Sequence, residues 1–320
     1  MRGAPEAVVR DALADGDPLP GTTGFAGELD GALVRDVLGR EPLFVDRAAT
    51  DDALPEWSHD PTDLDDPRLF PAGHVRDADG ERRVWTLPEA EPFTDRETAV
   101  DRLAIAFSGG VDSALLAARL DAPLYVAGFP ESHDVEAARS AAELLDRELR
   151  VIELTHGAIE RAVPEIVAAT GRTDAMSVQI ALPLYLTAER VAADGFDRLA
   201  LGQGADELFG GYAKVEKAPD DPRTEADTVR GAQREVIETL PEQLPRDVLA
   251  LRGAGVEPVT PLLHDRVVAA ALRLDGRMLV DGGTRKWALR QAALGSLPEA
   301  IAARDKKAAQ YGSLAARELD

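Results

Sequence analysis

The stretch Ser108-Gly109-Gly110-Val111-Asp112-Ser113 decides how this chain is read. An apolar run, Leu103-Ala104-Ile105-Ala106-Phe107, precedes it, and an alanine- and leucine-rich stretch, 114–120, follows. That order predicts a buried strand, a glycine turn and the start of a helix. Two glycines let the backbone approach an anion closely, and Ser108 and Ser113 add hydroxyl donors. The free N–H groups of a helix N-terminus bring partial positive charge to the same spot. Asp112, beside a phosphate, is a natural Mg²⁺ contact. Taken together these residues describe a pyrophosphate cradle. A Walker A loop, by contrast, would end in Gly-Lys-Ser/Thr.

Downstream, apolar runs alternate with helical patterns. Strands are predicted at Leu124–Phe129, Arg150–Leu154 and Arg198–Leu201, and helices from Asp134 to about 146, around 159–169 and around 178–193. Such alternation predicts an α/β fold, a parallel sheet with helices on both faces and ligands at the carboxyl ends of the strands. The remainder, to Asp320, reads as mostly helical. Before residue 95, Pro, Gly and Asp recur between short apolar segments such as Leu43-Phe44-Val45 and Arg83-Val84-Trp85, which predicts a small antiparallel β unit. A second glycine-rich loop, Gly202-Gln203-Gly204-Ala205-Asp206-Glu207, follows the strand at 198–201. Asp206 and Glu207 bring carboxylates to the same strand-end rim, and with Asp112 they suit a hard cation held partly by phosphate oxygens.

The first loop resembles the PP-loop of ATP pyrophosphatases, enzymes that split ATP into AMP and pyrophosphate. From about residue 96 to the end, the chain resembles the synthetase domain of asparagine synthetases. The resemblance is carried by Ser108–Ser113, Phe129-Pro130-Glu131-Ser132-His133-Asp134, Pro183–Leu186, Gly202–Tyr212, Gly255–Pro258 with Thr260–Leu263, Lys286–Arg290 and Arg304–Lys307. It implies that Ser108, Gly109, Gly110 and Ser113 bind pyrophosphate and that Asp112 and Asp206 bind Mg²⁺. Backbone at Ala106, Phe107, Ala127 and Gly202 would frame adenosine. Lys306 would sit on the phosphates, and Glu257 would line the acceptor site. The implied activity is an ATP-dependent, ammonia-using conversion of aspartate to asparagine through an acyl-adenylate, with ATP and Mg²⁺ as cofactors.

Three positions depart from that family's pattern. Where Glu is common between the glycines of the second loop, this chain has Gln203, an amide that cannot take a proton near neutral pH. Glu207, Glu257 or water would then take the proton. Where Arg commonly follows the acceptor-loop Glu by two residues, Val259 stands, with Arg252 as a candidate replacement. The tail Ala308–Ser313 resembles a less-characterised group of asparagine-synthetase-like proteins. An amidoligase for another acid or amine, and a nucleotide-binding regulator without catalysis, are the alternative readings.

Residues 1–95 resemble a shortened class II glutaminase. Leu33–Phe44 is similar to a late segment of that domain, and Phe70–Gly73 with Asp79-Gly80 is similar to its final hairpin. The expected domains are therefore 1–95, a degenerate glutaminase-like β unit, and 96–320, the ATP-dependent domain. The chain begins Met1-Arg2-Gly3 and has no cysteine, so no thiol nucleophile for glutamine hydrolysis can come from these residues.

Composition narrows the partners. With 58 acidic and 36 basic residues, the net charge is −22, which disfavours a broad nucleic-acid interface. The acid excess and scarcity of lysine resemble proteins of high-salt cytosols. Only five lysines occur, Lys214, Lys217, Lys286, Lys306 and Lys307, all in the C-terminal third, which marks them as candidates for function. The five histidines lack paired metal spacing. No apolar run reaches the length of a membrane span and no secretory leader is visible, which leads to the expectation of a cytoplasmic protein acting on small molecules. A homodimer and a separate glutaminase subunit are both compatible with the sequence.

Overall fold

The computed structural model describes residues 1–47, 54–89, 109–130, 132–220 and 226–304. The chain is mixed α/β and divides into two compact units that do not follow chain order. The first comprises 1–99, 204–245 and 262–287; the second comprises 100–203, 246–261 and 288–320.

The first unit opens with helix α1 (Glu6–Asp15), closed by Gly16 in the left-handed conformation. Two antiparallel sheets follow. One has the order β1 (Ala26–Leu29), β2 (Ala32–Arg35), β6 (His74–Asp77), β7 (Gly80–Arg83). The other has β3 (Phe44–Asp46) between β4 (Trp57–Ser58) and β5 (Pro67–Leu69). Ala26, Leu33, Leu43, Val45 and Phe70 form their core. The antiparallel β unit read from the sequence is therefore present. The segment Arg83–Trp85 leaves the ladder after Arg83, because the N–H groups of Val84 and Trp85 both turn to the Gly73 carbonyl.

Two buried arginines hold this unit together. Arg35 donates to the carbonyls of Glu41, Phe70 and Gly39, at 2.8, 2.7 and 2.6 Å, and burial pushes its pKa down to about 10. Arg40 donates to Asp36 at 2.8 Å and to Asp265 at 2.7 Å, with all three side chains almost fully shielded. Asp265 in turn accepts from the Thr22 N–H at 2.7 Å. Charges buried this deep are tolerated because each is paired and hydrogen-bonded. The cluster ties residues 22–40 to residues 263–265, far apart in sequence.

In the second unit, α2 (Val111–Ala117) precedes β8 (Leu124–Gly128), α3 (His133–Leu144), β9 (Leu149–Glu153), α4 (His156–Thr170), α5 (Ala175–Ala193) and β10 (Arg198–Ala200). β8 pairs with β9 in parallel, and β10 pairs in parallel with β11 (Glu257–Val259). Helices α3, α4 and α5 each begin where a short polar side chain caps them. Ser132 accepts from the Val135 N–H, Thr155 from Ala158 and Asp174 from Ser177. The α3 cap is thus Ser132, two residues before Asp134. Ile159, Ala162 and Ile166 of α4 pack on Ala181, Leu182 and Tyr185 of α5, with Ala127 and Leu154 from the β8–β9 side. The expected strand at 103–107 lies outside the described residues. Among the described residues the parallel ladders are two separate pairs. No helix among them is long and apolar enough to cross a membrane.

Candidate nucleotide and amide-forming site

Gly109 adopts φ +47°, a conformation that favours glycine, and a Cβ there would meet nothing closer than 3.8 Å. Conformation rather than crowding therefore requires glycine. Gly110 is the N-cap of α2, whose first turn has no side-chain cap among the described residues. Asp112 and Ser113 lie in that first turn, and both are buried. Ser108, Phe107, Ala106 and Lys306 lie outside the described residues. Ala127 is buried on β8. Beside it, Gly128 leaves room for Ser132 and Val135 of the α3 start, which a Cβ would approach to 2.7 and 2.8 Å. That glycine serves helix–strand packing.

The second loop leaves β10 and carries Gly202 and Gln203 in the second unit and Gly204 onward in the first. Gly204 sits at φ +94°, and a Cβ there would come within 2.5 Å of Leu263, so both conformation and space demand glycine. Gln203 donates from Nε2 to Asp247 Oδ2 at 2.5 Å, and Arg246 Nε donates to the other Asp247 oxygen at 2.7 Å. Burial raises the Asp247 pKa, while Arg246 and Gln203 oppose the shift.

In the first unit, Asp206 pairs with Lys286 Nζ at 2.7 Å. Lys286 is 3% exposed and holds φ +57°, unusual for a lysine. Gly211 makes the pair possible, because a Cβ there would fall 2.0 Å from Asp206 Oδ1 and 2.5 Å from Lys286 Cε. Glu207 is buried and accepts from the Tyr212 hydroxyl at 2.6 Å. It is therefore hydrogen-bonded to its own loop.

Glu257 opens β11 and is half-exposed. Arg252 Nε reaches both of its carboxylate oxygens at 3.0 Å, and Arg252 Nη2 adds a further bond. Val259 completes the ladder to β10, where its carbonyl accepts from the Leu201 N–H. Arg252, weighed from sequence as a stand-in for an arginine at position 259, is thus forked onto Glu257.

Within the second unit the structure brings Gln203 together with Asp247, and Arg252 with Glu257. Within the first it brings Asp206 together with Lys286, and Glu207 with Tyr212. Sequence reading missed Asp247 and Arg246. Lys286 was noted as a scarce lysine and as the start of the Lys286–Arg290 stretch, with no role assigned. Among the described residues no group of three or more His, Asp or Glu could hold a metal ion. Mg²⁺ commonly takes one or two carboxylates and fills its remaining positions with phosphate oxygens and water, and Asp206 already has the Lys286 ammonium on one oxygen.

Residues 95–235 and 213–319 match the family model described as asparagine synthase. A protein of Methanocaldococcus jannaschii, provisionally named asparagine synthetase (glutamine-hydrolyzing) 1, is 32% identical over 68% of this chain and 47% of its own length. Asparagine synthetase B (glutamine-hydrolyzing) of Escherichia coli is 27% identical over 57% of this chain and 33% of its own length. Asparagine synthetase (glutamine-hydrolyzing) 3 of Arabidopsis thaliana is 24% identical over 81% and 51%. The chain thus spans between a third and a half of the length of these relatives. With well over half of its residues matched, the chain belongs to the asparagine synthase family.

Proposed function

We propose that this chain is an ATP-dependent amide synthetase that converts aspartate to asparagine with ammonia as the nitrogen donor. The observation that carries this reading is the family match across 95–319, which spans the glycine turn at Gly109-Gly110. A side-chain carboxylate oxygen attacks the α-phosphorus of ATP. The α–β phosphoanhydride bond breaks and pyrophosphate leaves. Ammonia nitrogen then attacks the acyl carbon, the carbon–oxygen bond to AMP breaks, and one nitrogen-bound proton is lost to solvent. Adenylation turns a poor leaving group into a good one, and alignment of the two reactants supplies much of the rate.

The Gly109-Gly110 turn and the α2 N-terminus would carry the phosphates, with Ser108, Ser113 and Lys306 as further donors. Mg²⁺, contacted by Asp112 or Asp206, would supply charge neutralisation at the phosphate oxygens. Ala127, Phe107 and Gly202 would border the adenosine. Glu257 would face the acceptor. Residues 1–95 are read as a glutaminase remnant and 96–320 as the synthetase segment, in a cytoplasmic setting. With no cysteine in these 320 residues, ammonia would come from outside them, from solution or from a glutaminase elsewhere.

One observation favours a second reading, an amidoligase for another acid. Arg252 is committed to Glu257 and Val259 cannot clamp a carboxylate, so recognition of the aspartate α-carboxylate has no assigned cation. Pyrophosphate release from Mg-ATP, measured with and without aspartate and ammonium in high potassium chloride, separates the two. Aspartate-dependent release with asparagine identified by mass is the expected result, abolished in Lys306→Ala. Release only with a different carboxylate would replace aspartate as the substrate.

A further inference from the structure

The Gln203 side chain is held from one side. Both oxygens of Asp247 accept from donors, Oδ2 from Gln203 Nε2 at 2.5 Å and Oδ1 from Arg246 Nε at 2.7 Å. Neither oxygen is thus placed to offer a proton, and Asp247 acts as a carboxylate only 5% exposed. The amide must therefore turn its nitrogen toward Asp247, because the opposite orientation would set two acceptors against each other. The carbonyl oxygen is forced to the other side. Gln203 Oε1 is buried and has no hydrogen-bond partner among the described residues. An acceptor left in that state is costly, which marks it as reserved for a donor that arrives with a ligand.

The same geometry accounts for the amide at position 203. A glutamate there would place two carboxylates at 2.5 Å, of which only one could ionise near neutral pH. Arg246, the cation on Asp247 among the described residues, already serves the first carboxylate.

We propose that Asp247 is a positioning residue: it locks the Gln203 amide so that Oε1 is a fixed acceptor for an N–H of the incoming nitrogen nucleophile. The inference rests on the amide-synthesis reading above. Gln203 orients the amine and keeps its lone pair directed at the acyl carbon, while the proton lost on attack passes to solvent. Glutamine at this position then trades proton transfer for orientation.

The test uses the intact chain with ammonium chloride as the probe. In Asp247→Asn the new amide can offer either an oxygen or an N–H to Gln203, so the lock is lost. In Gln203→Leu the acceptor itself is gone. Both variants are expected to raise the KM for ammonium about tenfold more than they reduce aspartate-dependent ATP–pyrophosphate exchange, which precedes amine attack. A purely structural role would depress the exchange as strongly as the ammonium step. An ammonium KM unchanged in both variants overturns the proposal.

Thermal melting tests the lock independently of activity. Gln203→Glu should lower Tm at pH 7.5, and adding Asp247→Asn should restore it, because the asparagine N–H can then serve the new carboxylate. If the wild type shows no aspartate-dependent exchange, the amide-synthesis reading fails, while the melting cycle still decides the lock. A Gln203→Glu protein that melts like wild type overturns it.

Discussion

Two shielded acids, Asp206 in the first compact unit and Asp247 in the second, are balanced in different ways. Asp206 faces a full ammonium, Lys286 Nζ, at 2.7 Å, and the backbone is bent to keep it there: Lys286 is left-handed and Gly211 is stripped of any side chain. Asp247 faces the arginine next to it in sequence and the amide of Gln203. The first arrangement fixes a charge pair. The second fixes an orientation, because an amide has two unlike ends and only one suits a carboxylate. A buried ion pair tolerates little loss, whereas a carboxylate–amide contact survives rearrangement but loses its directional information.

The largest expected effect follows from the Asp206 side of that contrast. Lys286→Ala leaves a partly buried carboxylate without its ammonium, and the loss should reach about 3 kcal/mol, the low end for buried pairs. Urea unfolding should show it as a marked fall in midpoint. A loss below about 1 kcal/mol would mean that the pair is solvated in solution. Gly211→Ala comes next. Its Cβ would collide with the same pair, and overpacking of this kind costs about 1–3 kcal/mol. Combined with Lys286→Ala, its additional cost should be much smaller than its cost alone, since both act on one contact.

The Asp247 side is read through pH. Burial sets its folded pKa above the unfolded value, so the native state holds the proton more tightly. Stability associated with this group therefore rises as pH falls from the folded pKa toward the ordinary carboxylate range, and the ionised buried acid is a cost above it. Wild type should gain on Asp247→Asn as pH is lowered through that window. The reverse trend would show that Arg246 and Gln203 outweigh burial. The smallest effect is expected at Arg252→Ala. Its partner Glu257 is half-exposed, so stability should change by no more than about 1 kcal/mol, while the KM for the carboxylate acceptor shifts.

What could be read from the sequence was the part dictated by local rules. Glycine density at 109–110 and 202–204 was read as letting the backbone approach a ligand, and the backbone at Gly109 and Gly204 is left-handed. The β8 and β9 strands and the helix between them followed from apolar runs, although that helix is capped at Ser132 and not at Asp134. Helix α1 was missed because Asp, Ala and Gly dominate its surroundings and only Val9 and Ala12 are buried in it. Strand β11 was missed because Pro258 argues against a strand, yet among the described residues the strand pairs with β10 alone, and a proline is tolerated on an edge. Asp247 carried no signal of its own. It is one acid in a helix that contains Pro245, and its importance arises only where the chain returns to Gln203, 44 residues earlier. Lys286 left a faint trace, as one of five lysines in an arginine-rich chain.

The central claim is that a carboxylate is activated by adenylation. It is tested most directly by supplying aspartate labelled with ¹⁸O in its carboxyl groups, together with Mg-ATP and ammonium, and weighing the nucleotide product. Amide formation through an acyl-adenylate leaves one carboxyl oxygen on AMP, so the account expects AMP heavier by one label, formed in step with asparagine. Unlabelled AMP, or ADP in its place, would contradict it.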